Sequence, residues 1–174
     1  MEQKSDYLYR PILDKESKSG ISKNGKILFA TSEMQNLRRT MEDAILTSTD
    51  LGFLPGCHLF GVFDGHGGIA AGVLAEFAKE KLLNELENEI QNALKEKSIT
   101  EKAIVEKPEI LKECLKNAFS TLDNLIKDEF YHEEETGKFQ VKEYYINMNL
   151  KHNAQIEQQQ QEQRIQNSTQ MDKM

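Results

Sequence analysis

A chain of 174 residues, 38% of them hydrophobic, has enough apolar material for one packed domain with a tail and too little for two comfortable ones. Its net charge of −7 at pH 7 argues against a nucleic-acid groove or an anionic membrane surface, because both select for positive charge, and no basic stripe offsets that balance. No apolar run reaches transmembrane length, and Met1-Glu2-Gln3-Lys4-Ser5-Asp6 offers neither an apolar signal region nor the glycine that myristoylation requires, so a soluble, intracellular, cytoplasmic protein is expected. Cys57 and Cys114 are far apart and fit no metal spacing, which reads as two reduced thiols packed in the core.

Residues 1–25 are polar, and only Tyr7, Leu8, Tyr9, Pro11, Ile12 and Leu13 offer something to pack. They read as an extended N-terminal arm that docks on the domain or on a partner. Strand formers gather in Lys26 to Met34 and again in Ala44 to Thr49. A Pro55-Gly56 turn signal follows, then a third strand from Cys57 to Phe63, so Ala44 to Phe63 is expected to form a hairpin with a long turn.

From Ile69 the period changes to that of a helix. Ile69, Val73 and Phe77 form one row and Ala70, Leu74, Ala78 and Leu82 another, followed by Leu83, Leu86, Ile90 and Leu94. The charged stretch from Lys97 to Pro108 reads as a loop. A second helix starts at Pro108, a favourable first-turn residue, and places Leu111, Cys114, Leu115, Ala118, Leu122, Leu125, Ile126 and Phe130 on one face. Two helices with matching apolar faces, following strands that need cover, imply an α+β arrangement of helices on antiparallel strands. Beyond Tyr131, Glu133-Glu134-Glu135 is a solvated charge run, Phe139 to Leu150 fits either a strand or a short helix, and Ala154 to Met174 is a Gln-rich tail.

The chemistry is concentrated in Leu59-Phe60-Gly61-Val62-Phe63-Asp64-Gly65-His66-Gly67-Gly68. An apolar strand delivers Asp64 to a sheet edge, glycines allow a sharp turn and a close backbone approach, and histidine is the side chain that ordinarily titrates near neutral pH. A plain polar turn seldom needs so many glycines. Metal-assisted chemistry on a phosphate requires oxygen ligands for hard cations, a positive group for the phosphate oxygens and a proton donor for the leaving group. Asp64 can bridge cations and Gly65 can lend a carbonyl. Glu42 and Asp43 stand at the start of the neighbouring strand, where alternation keeps them from facing one cation squarely, so one of them works through water or orients the other's ligands. Arg38 or Arg39 can grip two phosphate oxygens with its planar fork. Singly, an acidic pair or an arginine pair is more often surface; their order along one hairpin ties them together.

Met34-Gln35-Asn36-Leu37-Arg38-Arg39-Thr40-Met41-Glu42-Asp43-Ala44, followed by Phe60-Gly61-Val62-Phe63-Asp64-Gly65-His66-Gly67-Gly68, resembles the opening motifs of the PP2C-type (PPM) metal-dependent protein serine/threonine phosphatases. The likeness runs from about Lys26 to Phe130 and includes Ala118-Phe119-Ser120-Thr121-Leu122-Asp123, which is similar to the family's second helix. The resemblance implies that Arg38 binds the substrate phosphate, Glu42 holds a cation through water, Asp43 orients metal-bound water, Asp64 bridges two Mn²⁺ or Mg²⁺ ions, Gly65 gives its carbonyl, and His66 is the general acid. It further implies phosphoserine and phosphothreonine proteins as substrates. Asn36-Leu37 stands where the family usually has Gly-Trp, a change that bears on packing beside Arg38.

The family's fold, two stacked antiparallel sheets flanked by helices, takes most of its strands and further metal-binding aspartates from later sequence. Here the only aspartate after Glu129 is Asp172, and no small Ser-Gly-Ser-Thr-Ala-like strand follows the second helix. The expected organisation is therefore an arm over 1–25, a truncated PP2C-like domain over 26–130 and a divergent acidic and Gln-rich tail over 131–174. Two functions follow from it. One is a phosphatase completed by a partner or a longer form. The other is a catalytically silent pseudophosphatase, a binding or structural subunit whose protein partners cover the open strand edges and order the tail.

Overall fold

The computed structural model describes residues 7–66, 70–134 and 139–147, together with Ala154 and Gln158. The first part of the chain forms two antiparallel hairpins. β1 (Tyr7–Ile21) pairs with β2 (Leu28–Arg38) from Ile21 opposite Leu28 to Tyr7 opposite Arg38, with irregular register on either side of Ile12. Ser22 closes the turn: it is 2% exposed, its Oγ accepts from the Ile27 N–H at 3.0 Å and donates to Asn24 Oδ1 at 2.7 Å. Gly25 takes the left-handed φ of 72° that a side chain would resist. The segment expected as an arm is thus extended over its described part, but as a paired strand. An extended backbone needs partners for its N–H and C=O groups, and the edge of β2 supplies them.

β3 (Asp43–Ser48) and β4 (Leu59–Asp64) pair in unbroken register from Asp43 opposite Asp64 to Ser48 opposite Leu59. This is the expected hairpin, and its long loop is folded inward. Leu51, Phe53 and Leu54 are buried, while Leu54 N–H to Leu51 O and Cys57 N–H to Leu54 O tighten the chain around the Pro55-Gly56 turn. Side-chain alternation gives the hairpin two faces. Ala44 is buried and Leu59 and Phe63 pack on the helical core, whereas Phe60 and Val62 point to the exposed side, Val62 being 69% exposed.

α1 (Ala71–Glu96) has 26 residues and is therefore about 39 Å long. Its buried stripe is Ala71, Ala75, Ala78, Leu82, Leu86, Ile90 and Ala93, with small residues at the strand-facing end where backbones must approach closely. α2 (Glu101–Glu106) occupies the stretch expected as a loop, because Thr100 Oγ1 caps it by accepting from the Ala103 N–H at 3.3 Å and Ile104 is fully buried beneath it. α3 (Pro108–Phe130) begins at its proline and buries Cys114, Ala118, Leu122 and Phe130. It runs antiparallel to α1: Phe77 meets Phe130 at one end, and Glu89 meets Asn117 and Cys114 toward the other. Fully burying one Leu or Ile side chain is worth about 1.5–3 kcal/mol, so the buried Leu82, Leu86, Ile90 and Leu122 contribute substantially to stability. Cys114 is buried and Cys57 half-buried, both are free, and burial pushes both thiols up from their ordinary pKa.

β5 (Tyr131–Glu133) and β6 (Phe139–Val141) form a short antiparallel pair, and residues 143–147 are helical. The ambiguous stretch from Phe139 thus holds both a strand and a helical turn, and the acidic run begins inside a strand. Tyr145 stacks on Phe130 with centroids 4.3 Å apart. Residues 148–150 and, apart from Ala154 and Gln158, the Gln-rich tail lie outside the described residues. No helix among the described residues is long and apolar enough to cross a membrane.

Candidate functional site

The pairing of β3 with β4 places Asp43 directly opposite Asp64. Directly opposed residues in an antiparallel pair project to the same face, so two exposed carboxylates stand side by side at the open end of the hairpin. Like charges so placed oppose folding unless a cation lies between or near them. The sequence pattern had singled out both residues, while their pairing one against the other is a result of register.

Gly65 follows at once, and its N–H donates to Glu42 O at 3.1 Å. A Cβ at Gly65 would run into the carbonyl oxygens of Glu42 and Ala71, the latter only 2.5 Å away. Only glycine fits there, because the start of the helix is drawn against the end of the strand. Gly72 makes a similar close approach, with Met41 O 2.9 Å from where its Cβ would be.

His66 turns its ring back on its own loop. Nδ1 lies 2.9 Å from Asp64 O and 3.6 Å from Asp64 Oδ1. A carbonyl oxygen can only accept, so Nδ1 carries the hydrogen and Nε2 is the nitrogen left to exchange a proton with a ligand. Both side chains are about three-quarters exposed, at 77% for His66 and 76% for Asp64. A cleft of about 290 Å³ lies beside them, walled by Phe63, Ala71, Leu74 and Ala78. Gly67 and Gly68, the rest of the glycine motif, lie outside the described residues.

Glu42 precedes β3 and is half-buried. Its Oε1 accepts from Thr40 Oγ1 at 2.9 Å, a positioning contact that the sequence reading missed; a hydroxyl two residues before the acid was the available signal. Arg38 stands at the end of β2, in the other hairpin. The connecting chain is shaped by Gln35, whose Nε2 donates to the carbonyls of both Arg38 and Arg39 at 3.0 Å, and by Asn36 in the left-handed region at φ 58°. Gln35 is a second residue the sequence reading passed over. Asn36 takes a conformation that glycine adopts most readily and asparagine tolerates better than most residues.

The donor set, two carboxylates from the hairpin, a third from Glu42 and the carbonyl of Gly65, consists of hard oxygens suited to Mg²⁺ or Mn²⁺ and unsuited to soft metals. Among the described residues no group of three or more His, Cys, Asp or Glu converges closely enough to hold an ion by itself. These groups are thus suited in kind to be one side of a metal site and too few to enclose an ion.

No protein-family model matches the chain. Curated relatives do. It is 38% identical over 120 residues to probable protein phosphatase 2C 2 of Paramecium tetraurelia, a match covering 69% of this chain and 33% of the relative. Probable protein phosphatase 2C 3 of the same organism is 40% identical over 114 residues, 62% of this chain and 36% of the relative. Protein phosphatase ppm-1.G of Caenorhabditis elegans is 35% identical over 123 residues, 71% of this chain and 21% of the relative. The chain spans between a fifth and about a third of the length of these relatives.

Proposed function

Over the stretch it shares with these relatives the chain belongs to the PP2C-type phosphatase family, and on that premise we propose that it contributes one side of the active site of a metal-dependent protein serine/threonine phosphatase. The observation that carries this reading is the opposition of Asp43 and Asp64 at the end of β3–β4, with Gly65 next in the chain and fixed as glycine by the close approach of Glu42 and Ala71. Bound Mg²⁺ or Mn²⁺ would neutralise the phosphate and supply a water acidic enough to attack phosphorus, so that no phosphoenzyme is needed.

The remaining work falls to the chain's own residues. Asp64 and the Gly65 carbonyl are the direct oxygen donors. Glu42, held by Thr40, acts through water, and Asp43 orients the attacking water from the opposite strand. Arg38 pairs with two oxygens of the substrate phosphate. His66, with Nδ1–H anchored on the Asp64 carbonyl, presents a protonated Nε2 to the departing seryl or threonyl oxygen and so acts as general acid. The substrates in this reading are phosphoserine and phosphothreonine proteins.

A second reading, a catalytically silent binding subunit, draws support from the outward face of β3–β4. There Phe60 and the 69%-exposed Val62 form an apolar surface suited to a covering protein. One experiment separates the two. The purified chain is assayed with Mn²⁺ on a phosphopeptide beside Asp64→Asn, and Tm is followed with and without Mn²⁺. The phosphatase reading expects Mn²⁺ to raise Tm and to support phosphate release, with both effects lost in Asp64→Asn. Hydrolysis that is absent, or unchanged by the substitution, removes it.

A further inference from the structure

A cavity of about 650 Å³ opens beside Asp43 and is distinct from the smaller cleft at His66. Its apolar side is built on aromatic rings: Phe130, itself 1% exposed, meets Phe77 edge-on at 5.2 Å between centroids and stacks on Tyr145 at 4.3 Å, so half-buried Phe77 and Tyr145 present the accessible surface. Its polar side is acidic. Asp43 contributes from β3, and Glu76 and Glu80, one turn apart on α1, contribute two exposed carboxylates on the same helix face.

Among the described residues, no lysine or arginine lines the cavity. Cations near it include Lys79, which pairs with Glu76, and Lys81, whose Nζ lies 5.4 Å from the centre of the Phe77 ring. The aromatic wall thus already attracts a cation from its own helix. Tyr145 donates its hydroxyl to Glu129, which holds the ring in place.

Aromatic faces and carboxylates around one hollow suit a cation on an apolar stem. The stem lies along the rings, the head gains cation–π and ion-pair contacts, and the charges of Asp43 and Glu80 are offset beside Glu76, which Lys79 already pairs. A carboxylate ligand would be repelled, and a purely apolar one would leave that repulsion in place. We propose that this cavity receives an arginine or lysine side chain of a peptide segment close to the phosphorylated residue of the substrate protein. The position near the phosphate follows from Asp43, which borders both the cavity and the candidate site. That the peptide is a substrate rests on the phosphatase reading; that a basic peptide binds here does not.

The test uses the full chain and short fluorescent peptides of equal length, unphosphorylated, carrying arginine, glutamine or glutamate at the same positions. Binding is read by fluorescence anisotropy at low salt. The arginine peptide is expected to bind about tenfold more tightly than the glutamine peptide, as several cooperating ionic and cation–π contacts would give, and the glutamate peptide more weakly still. The variant combining Glu76→Gln and Glu80→Gln is expected to weaken the arginine peptide about fivefold, as the loss of two exposed ion pairs would, and to leave the glutamine peptide unchanged. Both positions are exposed, so circular dichroism should match the parent; Phe77→Leu reads the aromatic share separately. Equal affinity for arginine and glutamine peptides, no response to the paired Gln substitutions, or binding of free spermine without binding of the arginine peptide would each overturn the proposal. If the arginine peptide binds as expected but its phosphorylated form releases no phosphate with Mn²⁺, the phosphatase reading fails and the basic-peptide site stands.

Discussion

The two antiparallel hairpins are stabilised in different ways. β1–β2 is the longer, with 15 and 11 residues in its strands, yet among its described side chains Leu8 is the one buried apolar group, and Leu28, Ile21 and Leu13 are all exposed. It is held by its own ladder, by the Ser22 turn, and by a few outward contacts: Lys23 to Asp50 at 2.9 Å, Asn24 to His58 at 3.4 Å and Phe29 against Phe60 at 5.8 Å. β3–β4 has only six residues in each strand but lays Ala44, Leu59 and Phe63 on the helices, and its loop drives Leu51, Phe53 and Leu54 into their core. The short hairpin can therefore hold two like charges at its open end, because helix packing sustains a register that the charges oppose. A hairpin standing mainly on its ladder has little such reserve.

The largest expected effect breaks the clamped side. Ile90 is fully buried between α1 and its neighbours, so Ile90→Ala should cost about 2–5 kcal/mol. Urea denaturation followed by far-ultraviolet circular dichroism measures the loss, and hydrogen exchange in β3 and β4 should rise with it. Exchange that stays low there would show that the hairpin does not depend on the helices. A smaller and more local effect tests the open side. Ser22→Ala leaves the Ile27 N–H without its acceptor, while Asn24 Oδ1 keeps the Lys26 N–H, at a cost of about 1–3 kcal/mol. The exchange protection of β1–β2 should fall while that of α1 and α3 stays as it was; a drop throughout the molecule would show the two regions to be one cooperative unit.

The smallest effect concerns the aromatic wall at the end of α3. The hydrogen bond to Glu129, with lesser help from burial, pushes the Tyr145 hydroxyl up to about 12. The neutral phenol is the form that the fold favours, so this contribution is complete below the ordinary tyrosine value of about 10 and is lost as pH rises from there through about 12. The phenolate absorbance that disappears in Tyr145→Phe identifies this group. In Glu129→Gln its midpoint should move back toward the ordinary value, and an unmoved midpoint would contradict the carboxylate as the cause.

Much of this was legible beforehand for physical reasons. The hairpin from Ala44 to Phe63 announced itself by strand formers around a Pro-Gly turn, and α1 and α3 by apolar rows sustained over many turns. α2 was missed because six residues with one buried side chain, Ile104, are too short for a period to emerge, and its cap at Thr100 was read as part of a charged loop. β1 was missed as a paired strand because Asp14-Lys15-Glu16-Ser17-Lys18-Ser19 carries no strand signal of its own; the backbone of β2 recruits it.

The sequence alone determined which groups could do chemistry: Asp64 at a strand end, a glycine that must be glycine, a histidine within reach, and an acidic pair one strand away. Those choices are local, set by side-chain type and backbone freedom over a few residues. Only the tertiary structure decided that Asp43 and Asp64 face each other, that Nδ1 of His66 is tied to a carbonyl so that Nε2 is the exchangeable nitrogen, and that Phe77, Phe130 and Tyr145 close a hollow beside Asp43. The first depends on cross-strand register and the last on the packing of α1 against α3, which bring together groups far apart in the chain, while the His66 contact is set by the turn its own loop takes over two residues.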